Sequence, residues 1–450
     1  MSEKLIIIGG GLAGCEAAWQ AAQRGIKVHL YEMRPEVQTG AHLGGNLAEL
    51  VCSNSLGSEL ENRAPGLLKA ELRTLGSLLL ECAEQTRIPA GGALAVDRDR
   101  FSEMVTARIC DHPNIQLVRQ EMPVLPDRPV IVASGPLTSS NLSRELAQLL
   151  GQEHLYFFDA IAPIVTADSI DMNIAFRASR YDRGERPDGD YINCPMDRDQ
   201  YHDFVTLLAQ AERIQLKSIE LELESGVTAG AHRFFEGCLP VEILARRETK
   251  ALAFGPMRPV GLANPHNENK PYAIVQLRQD NQAGTLYNLV GFQTNLTFPE
   301  QRRVFRTIPG LEQAEFARYG QMHRNTFIFS PAYLDQTLQY RGRPDLFFAG
   351  QITGVEGYVG NIATGLLAGI NAARYIQGKS LLTLPEMTML GALCHYIANA
   401  SAADFQPMKA NFGLLPGLEE EVKGGKSARG EAYSKRATES LIQFLSKNEL

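Results

Sequence analysis

The sequence predicts an α/β protein in which a doubly wound parallel sheet is interrupted by a second, inserted α/β unit. Three observations carry that expectation. An apolar run at the N-terminus breaks into a glycine frame followed by a helix of small residues. A second strand–glycine–helix passage occurs far downstream, around Gly350. Between the two, over roughly 191–329, the pattern changes to an amphipathic helix followed by paired short strands. Residues 1–190 and 330–450 are therefore expected to form one discontinuous domain, with 191–329 as the insertion.

Residues 4–8 form a short continuous apolar run, the signature of a parallel strand buried on both faces. The run ends in Gly9, Gly10, Gly11, Leu12, Ala13 and Gly14, and Gly9, Gly11 and Gly14 fill a G-x-G-x-x-G frame. Ala13, Ala17 and Ala21 at four-residue spacing predict a helix over 12–24, with Gly25 at its end. A second strand over 26–31 runs into Glu32. In such a frame Gly9 permits the tight turn, Gly11 lets backbone approach a pyrophosphate, and Gly14 lets helix and strand pack closely. The helix N-terminus offers N–H groups and a positive dipole end to phosphates. Glu32 is placed to accept hydrogen bonds from a ribose 2′-hydroxyl, which favours an unphosphorylated adenosine ribose, as in FAD or NAD.

The second passage chooses between those two cofactors. Residues 345–351 read as a strand ending in Gly350-Gln351, followed by a loop through Gly354, Gly357, Gly360 and Asn361 and a small-residue helix over 362–374. A nicotinamide dehydrogenase has no need of a distant second phosphate-and-ring element, whereas FAD is long and its flavin end needs a loop and helix of its own. The arrangement resembles the glutathione-reductase-like FAD proteins, in which this strand commonly ends Gly-Asp. Gln351 departs from that pattern and removes the usual carboxylate while sparing the backbone donors. Residues 129–136 resemble the strand that closes the FAD sheet in such proteins. The cofactor expected is FAD.

With 44 basic and 51 acidic residues the net charge is −7, which argues against a generic nucleic-acid coat protein but leaves room for local basic patches. A hydrophobic share of 44% and a charged share of 21% exclude a disordered or collagen-like chain. Seven cysteines spread over 450 residues make no disulfide framework and suit a reducing compartment. The N-terminus shows no cleavable signal, and the uncharged stretch 357–373 is too short and too polar to span a bilayer. A soluble, cytoplasmic protein without membrane contact is expected.

A flavin site beside thiols first suggests disulfide reduction, but no second cysteine lies near Cys52, so that chemistry is disfavoured. Three motifs occur in order: Leu50-Val51-Cys52-Ser53-Asn54-Ser55; Phe235-Glu236-Gly237-Cys238-Leu239-Pro240-Val241-Glu242; and Phe405-Gln406-Pro407-Met408 with Asn411-Phe412-Gly413-Leu414-Leu415-Pro416. On these the chain resembles, over essentially its whole length, the folate- and FAD-dependent tRNA (uracil-5-)-methyltransferases. These are smaller relatives of the flavoproteins that modify wobble uridines. The resemblance implies methylenetetrahydrofolate as carbon donor, FAD as electron carrier, NAD(P)H as reductant and 5-methyluridine in the tRNA T-loop as product. The methylene carbon needs two electrons to become a methyl group, and uracil C5 is a poor nucleophile until a thiolate adds at C6. The resemblance assigns that addition to Cys238 and a part in proton removal or activation to Cys52. Arg246, Arg247 and Arg258 are candidate cations for lowering a thiol pKa if folding brings them close. Cys15, Cys82, Cys110, Cys194 and Cys394 are expected to be small buried hydrophobes.

In the insertion, 197–216 reads as an amphipathic helix, and 272–277 and 285–290 read as strands joined by a hairpin-length turn. An active site formed where two domains meet would let Cys52 and Cys238 face one cleft. RNA binding requires local positive charge, and the candidates are Arg246, Arg247 and Lys250, then Arg302, Arg303 and Arg306, then the segment from Lys423 to Arg436. A base drawn out of a folded loop wants aromatic walls, for which Tyr287, Phe292, Tyr340 and Tyr358 are candidates. Competing readings are an NAD(P)H-dependent flavin oxidoreductase of a small molecule, a ribosomal-RNA uridine methyltransferase, and a flavoprotein that binds RNA without chemistry.

Overall fold

The computed structural model describes residues 4–151, 155–214, 239–266, 270–401, 405–420 and 422–448. A five-stranded parallel sheet forms the centre, in the order Leu346–Phe348, Val130–Val132, Leu5–Ile8, Val28–Tyr31, Ile115–Val118. The strand Val130–Val132, expected to close this sheet, lies inside it between Leu5–Ile8 and Leu346–Phe348. Its three residues are all buried, as an interior position demands. The edge is taken instead by Leu346–Phe348, which delivers the second glycine passage beside the first.

The helix Leu12–Gln23 follows the first glycine frame, Arg24 caps it, and Gly25 takes the left-handed conformation (φ +79°) that ends it. The long helix Tyr358–Ile376 begins four residues earlier than the sequence pattern suggests and lies against Leu12–Gln23. A Cβ on Gly365 or Gly369 would collide with the backbone of Ala13 or Ala17, so the small residues of both helices serve the same close crossing. No helix among the described residues is long and apolar enough to cross a membrane.

The insertion is a six-stranded sheet in the order Phe176–Ala178, Tyr191–Met196, Ala273–Gln279, Leu286–Leu289, Ile164–Thr166, Phe316–Arg318, with antiparallel pairing throughout. It therefore reaches upstream of the boundary expected at 191, because Ile164–Thr166 and Phe176–Ala178 belong to it. Both strands are only three residues long, too short to show an alternating pattern. A two-stranded ribbon, Leu155–Ala160 with Met322–Phe327, brackets the sheet. The expected hairpin is present, with Leu277, Arg278 and Gln279 opposite Leu289, Asn288 and Tyr287. The expected amphipathic helix spans Arg198–Gln210 and starts with a capping box between Asp197 and Gln200.

The sheet has two unlike faces. Ile192, Cys194, Val275, Leu277, Tyr287 and Leu289 point into a closed apolar core. Tyr191, Asn193, Gln276, Arg278 and Asn288 occupy the alternating positions and form a polar face, on which Gln276 donates to Asn193 at 3.0 Å. This polar face meets the parallel-sheet domain.

Candidate active site

The two glycine passages open on one cleft. Gly9, Gly11, Leu12, Ala13, Glu32, Gly350, Gln351 and Asn361 line it, together with Tyr358 and residues of the 133–139 turn. Gly10, Gly14, Gly357 and Gly360 are not on its surface. Gly14 packs on the Gly9 carbonyl and Gly360 on Val355, while Gly357 (φ +83°) starts the long helix. Gly10 donates its N–H to Glu32 Oε2 at 3.0 Å.

Two features of the cleft point to a bound group. Gly11 has ordinary extended backbone (φ −78°), and a Cβ there would meet no protein atom within 4 Å. Nothing in the chain itself demands a glycine at that position; an approaching pyrophosphate does. Asn361 is 8% exposed, and its Oδ1 has no hydrogen-bond partner in the chain. A buried acceptor of this kind is costly unless a ligand donor satisfies it. The residues present thus fit a long dinucleotide cofactor.

Glu32 is more occupied than its sequence position suggests. Its carboxylate accepts from Gly10 N, from Arg34 N at 2.9 Å and from Arg34 Nε at 3.0 Å, and Arg34 is itself buried. Burial alone would push this carboxyl up, but the Arg34 hydrogen bonds and charge outweigh it and hold the group below the usual range. Glu32 is therefore ionised and fixed. Arg34 also reaches Glu49 at 3.0 Å, and Glu49 in turn accepts from Leu43 N and Gly44 N, so the loop over the cleft mouth hangs on the same guanidinium.

Cys52 is half-buried, on a loop beside the cleft. The Tyr358 hydroxyl accepts the N–H groups of both Cys52 (2.8 Å) and Ser53 (3.0 Å). Burial, then the neighbouring Cys52, push the Tyr358 hydroxyl far above its ordinary value, so it stays protonated. Arg98 donates to the Leu50 carbonyl at 2.6 Å and the Cys52 carbonyl at 3.5 Å, and its Nε pairs with Asp280 of the insertion at 2.9 Å. Burial works against the Arg98 charge, but Asp280 outweighs it and holds the guanidinium above its ordinary value. Arg278, also from the insertion, donates to Asn54 Oδ1 at 2.8 Å and Ser53 Oγ at 3.2 Å. Asn54 returns its amide hydrogens to the carbonyls of Val96 and Gln279.

The cations that hold this loop are thus Arg98 and Arg278. Arg246 bonds the Ala209 carbonyl, and Arg247 and Arg258 lie on the exposed surface. Sequence reasoning passed over both guanidiniums, although Gln276 and Arg278 alternating with apolar residues in one strand marked a polar face. Cys238 lies outside the described residues. Immediately after it, Leu239 and Val241 are buried, Val241 N donates to the Gln293 carbonyl at 2.7 Å, and buried Glu242 accepts from Thr294 Oγ1 and Asn295 N.

Of the aromatic candidates only Tyr358 reaches the cleft. Tyr287 and Phe292 belong to the apolar core of the insertion, and Tyr340 packs beside Phe348. Cys15, Cys82, Cys194 and Cys394 are buried as expected, and burial pushes the Cys82 and Cys394 thiols up to about 12. Cys110 is exposed, because it is the last residue of its helix.

The parallel sheet, with two glycine passages converging on one cleft, is the Rossmann-like fold of FAD-binding proteins. Two crystal forms of Aquifex aeolicus GidA superpose on it with TM-scores of 0.69 and 0.68 at 17% identity, over 98% and 100% of this chain and 73% and 78% of theirs. The family model for glucose inhibited division protein A matches residues 4–380. Among curated relatives, the methylenetetrahydrofolate–tRNA-(uracil-5-)-methyltransferase TrmFO of Heliobacterium modesticaldum is 55% identical over 444 residues, 98% of each chain. The protein of the same name from Natranaerobius thermophilus is 55% identical over 445 residues, 99% of each. The chain belongs to the glucose inhibited division protein A family, and within it to the TrmFO enzymes.

Proposed function

We propose that this protein transfers a one-carbon unit from methylenetetrahydrofolate to uracil C5 in the T-loop of tRNA, drawing electrons from NAD(P)H through FAD, in the cytoplasm. The observation that carries this reading is the full-length match to relatives bearing that activity in their name, joined to a cleft built for a long dinucleotide with Cys52 at its side.

In this reading Gly9, Gly11, Leu12 and Ala13 hold the pyrophosphate with backbone N–H groups, and Glu32 takes the adenosine ribose. Gly350, Gln351 and Asn361 hold the flavin end, with Asn361 Oδ1 as an acceptor. Gly10, Gly14, Gly357 and Gly360 act by shaping the backbone around those contacts. FAD, when bound and reduced, supplies the hydride that completes the methyl group. Cys238 adds to uracil C6 and makes C5 nucleophilic, and Cys52 assists removal of the C5 proton. Arg98 and Arg278 place two guanidiniums against the loop that carries Cys52.

The test uses purified protein, its visible spectrum, unmodified tRNA transcript, NADPH and methylene-labelled folate. A flavin spectrum and label in 5-methyluridine at the T-loop are expected. Bound flavin without label in tRNA overturns the tRNA assignment and leaves another RNA or a small-molecule oxidoreductase. Protein that cannot be reconstituted with FAD overturns the cofactor assignment.

A further inference from the structure

The insertion and the parallel-sheet domain meet through polar contacts rather than through a shared apolar core. Asp97 Oδ2 accepts from Gln282 N at 2.7 Å, Asp190 Oδ2 accepts from Gly91 N at 2.6 Å, and Tyr191 donates to the Ala90 carbonyl at 2.9 Å. Hydrogen bonds of this kind are short and directional, so they define one relative placement of the two domains and penalise others. Within that interface, one ion pair differs from the rest in also touching the Cys52 loop.

Arg98 begins the helix Arg98–Cys110, with side-chain exposure of 11% against 5% for its partner Asp280. The two residues are 182 positions apart in the chain. Both Asp280 oxygens lie within 3.0 Å of Arg98 Nε. That leaves Arg98 Nη1 and Nη2 pointing at the carbonyls of Leu50 and Cys52. A guanidinium is planar and rigid, so fixing Nε on Asp280 fixes where the two Nη groups can be. Arg278, two residues before Asp280, grips the next two residues of the loop, Ser53 and Asn54.

We propose that Arg98 and Asp280 form a latch that registers the insertion against the Cys52 loop, making Arg98 a positioning residue for Cys52. Rested on the function proposed above, the latch ties the placement of Cys52 to the domain that carries Cys238. The reaction proposed above needs Cys52 held in place, so a shift of the insertion that opens the latch also disturbs the loop that carries this thiol.

The test compares Arg98→Lys, Asp280→Asn and the double variant with wild type, each as full-length protein reconstituted with FAD. The first readout is the rate of Cys52 alkylation by iodoacetamide against pH, followed on the Cys52 peptide by mass spectrometry. The second is kcat and KM for methyl transfer to tRNA transcript. Each single variant is expected to keep its flavin spectrum, to lose about 10- to 100-fold in kcat with KM changed less than about threefold, and to shift the Cys52 alkylation profile. The double variant is expected to be no worse than either single one, because both break the same contact. Additive losses, or an alkylation profile identical to wild type in both single variants, would overturn the latch. If Arg98→Lys does not fold, Asp280→Asn, which retains the guanidinium, decides the matter by the same alkylation readout. Full activity in Cys52→Ala would instead refute the role of Cys52 in the reaction, while the alkylation profiles still decide the latch.

Discussion

The cofactor cleft and the Cys52 loop lie side by side and are built on opposite plans. The cleft comes from two contiguous strand–glycine–helix passages, where glycines let backbone segments come close. The Cys52 loop has no regular structure at the cysteine and is held by side chains from three distant segments, through Tyr358, Arg98 and Arg278. A site made of backbone tolerates no added atoms where segments cross, as at Gly14. A site made of long-range hydrogen bonds tolerates added atoms but not lost partners.

The largest expected effect breaks the first plan. In Gly14→Val the new Cβ would run into the Gly9 carbonyl, a backbone group with nothing flexible to yield. A loss of about 3 kcal/mol or more is expected, together with loss of the flavin spectrum. Denaturant titration alongside an absorption spectrum measures both.

Next in size is a difference in how buried carboxylates are treated. Around Cys52, Asp280 is paired with Arg98. In the parallel-sheet domain, Glu71 is buried and caps the helix Met389–Asn399 through the N–H groups of Met389 (2.6 Å) and Leu390 (2.9 Å). Burial outweighs those two hydrogen bonds and pushes its pKa up to about 7. The folded state thus holds this proton more tightly than the unfolded chain does. The stabilisation is complete below about pH 4.5 and is lost as pH rises through about 7. The drop amounts to about 3 kcal/mol across that window. In Glu71→Gln this slope in the pH dependence of unfolding should vanish.

A smaller effect tests the second plan. Asn54→Ala removes the acceptor for Arg278 Nε and two donors to backbone carbonyls. A loss of about 2 kcal/mol is expected. Methyl transfer should fall by more than FAD content, because the disturbed loop carries Cys52 and not the cofactor. Equal losses of both would mean that the two regions are not separable.

The smallest effect on stability is the sharpest on function. Gly11→Ala adds a methyl group where the chain has open space and a permissive backbone, so the apo-protein should unfold within about 0.5 kcal/mol of wild type. FAD affinity, read by titration of the apo-protein, should nonetheless weaken by about 10- to 100-fold. Together with Gly14→Val this separates a glycine required by the protein from one required by its ligand.

How much was legible in advance follows the same division. The glycine frame, its helix and Glu32 could be read because each requirement is met within about thirty consecutive residues, where spacing alone determines geometry. The Gly350 passage was legible for the same reason, and the expected hairpin of the insertion formed in place. The interior position of Val130–Val132 and the membership of Ile164–Thr166 in the second sheet were not legible, since strand order depends on which chains meet across a sheet. Tyr287 and Phe292 looked like candidate walls for a base and proved to be core, because an aromatic residue reads alike in either setting until burial decides.

By itself, the amino-acid sequence determined the class of cofactor site and the identity of the cysteine motifs, because both are written in runs of neighbouring residues. Only the tertiary structure decided that Arg34 holds Glu32 ionised and buried, and that the polar face of the insertion is turned toward Cys52. It also decided that Arg98 and Asp280 meet from 182 positions apart. Local spacing dictates local backbone shape, but the partner of a long charged side chain is chosen by the packing of whole domains. That choice is made by the burial of two separate apolar cores, neither of which contains the residues it brings together.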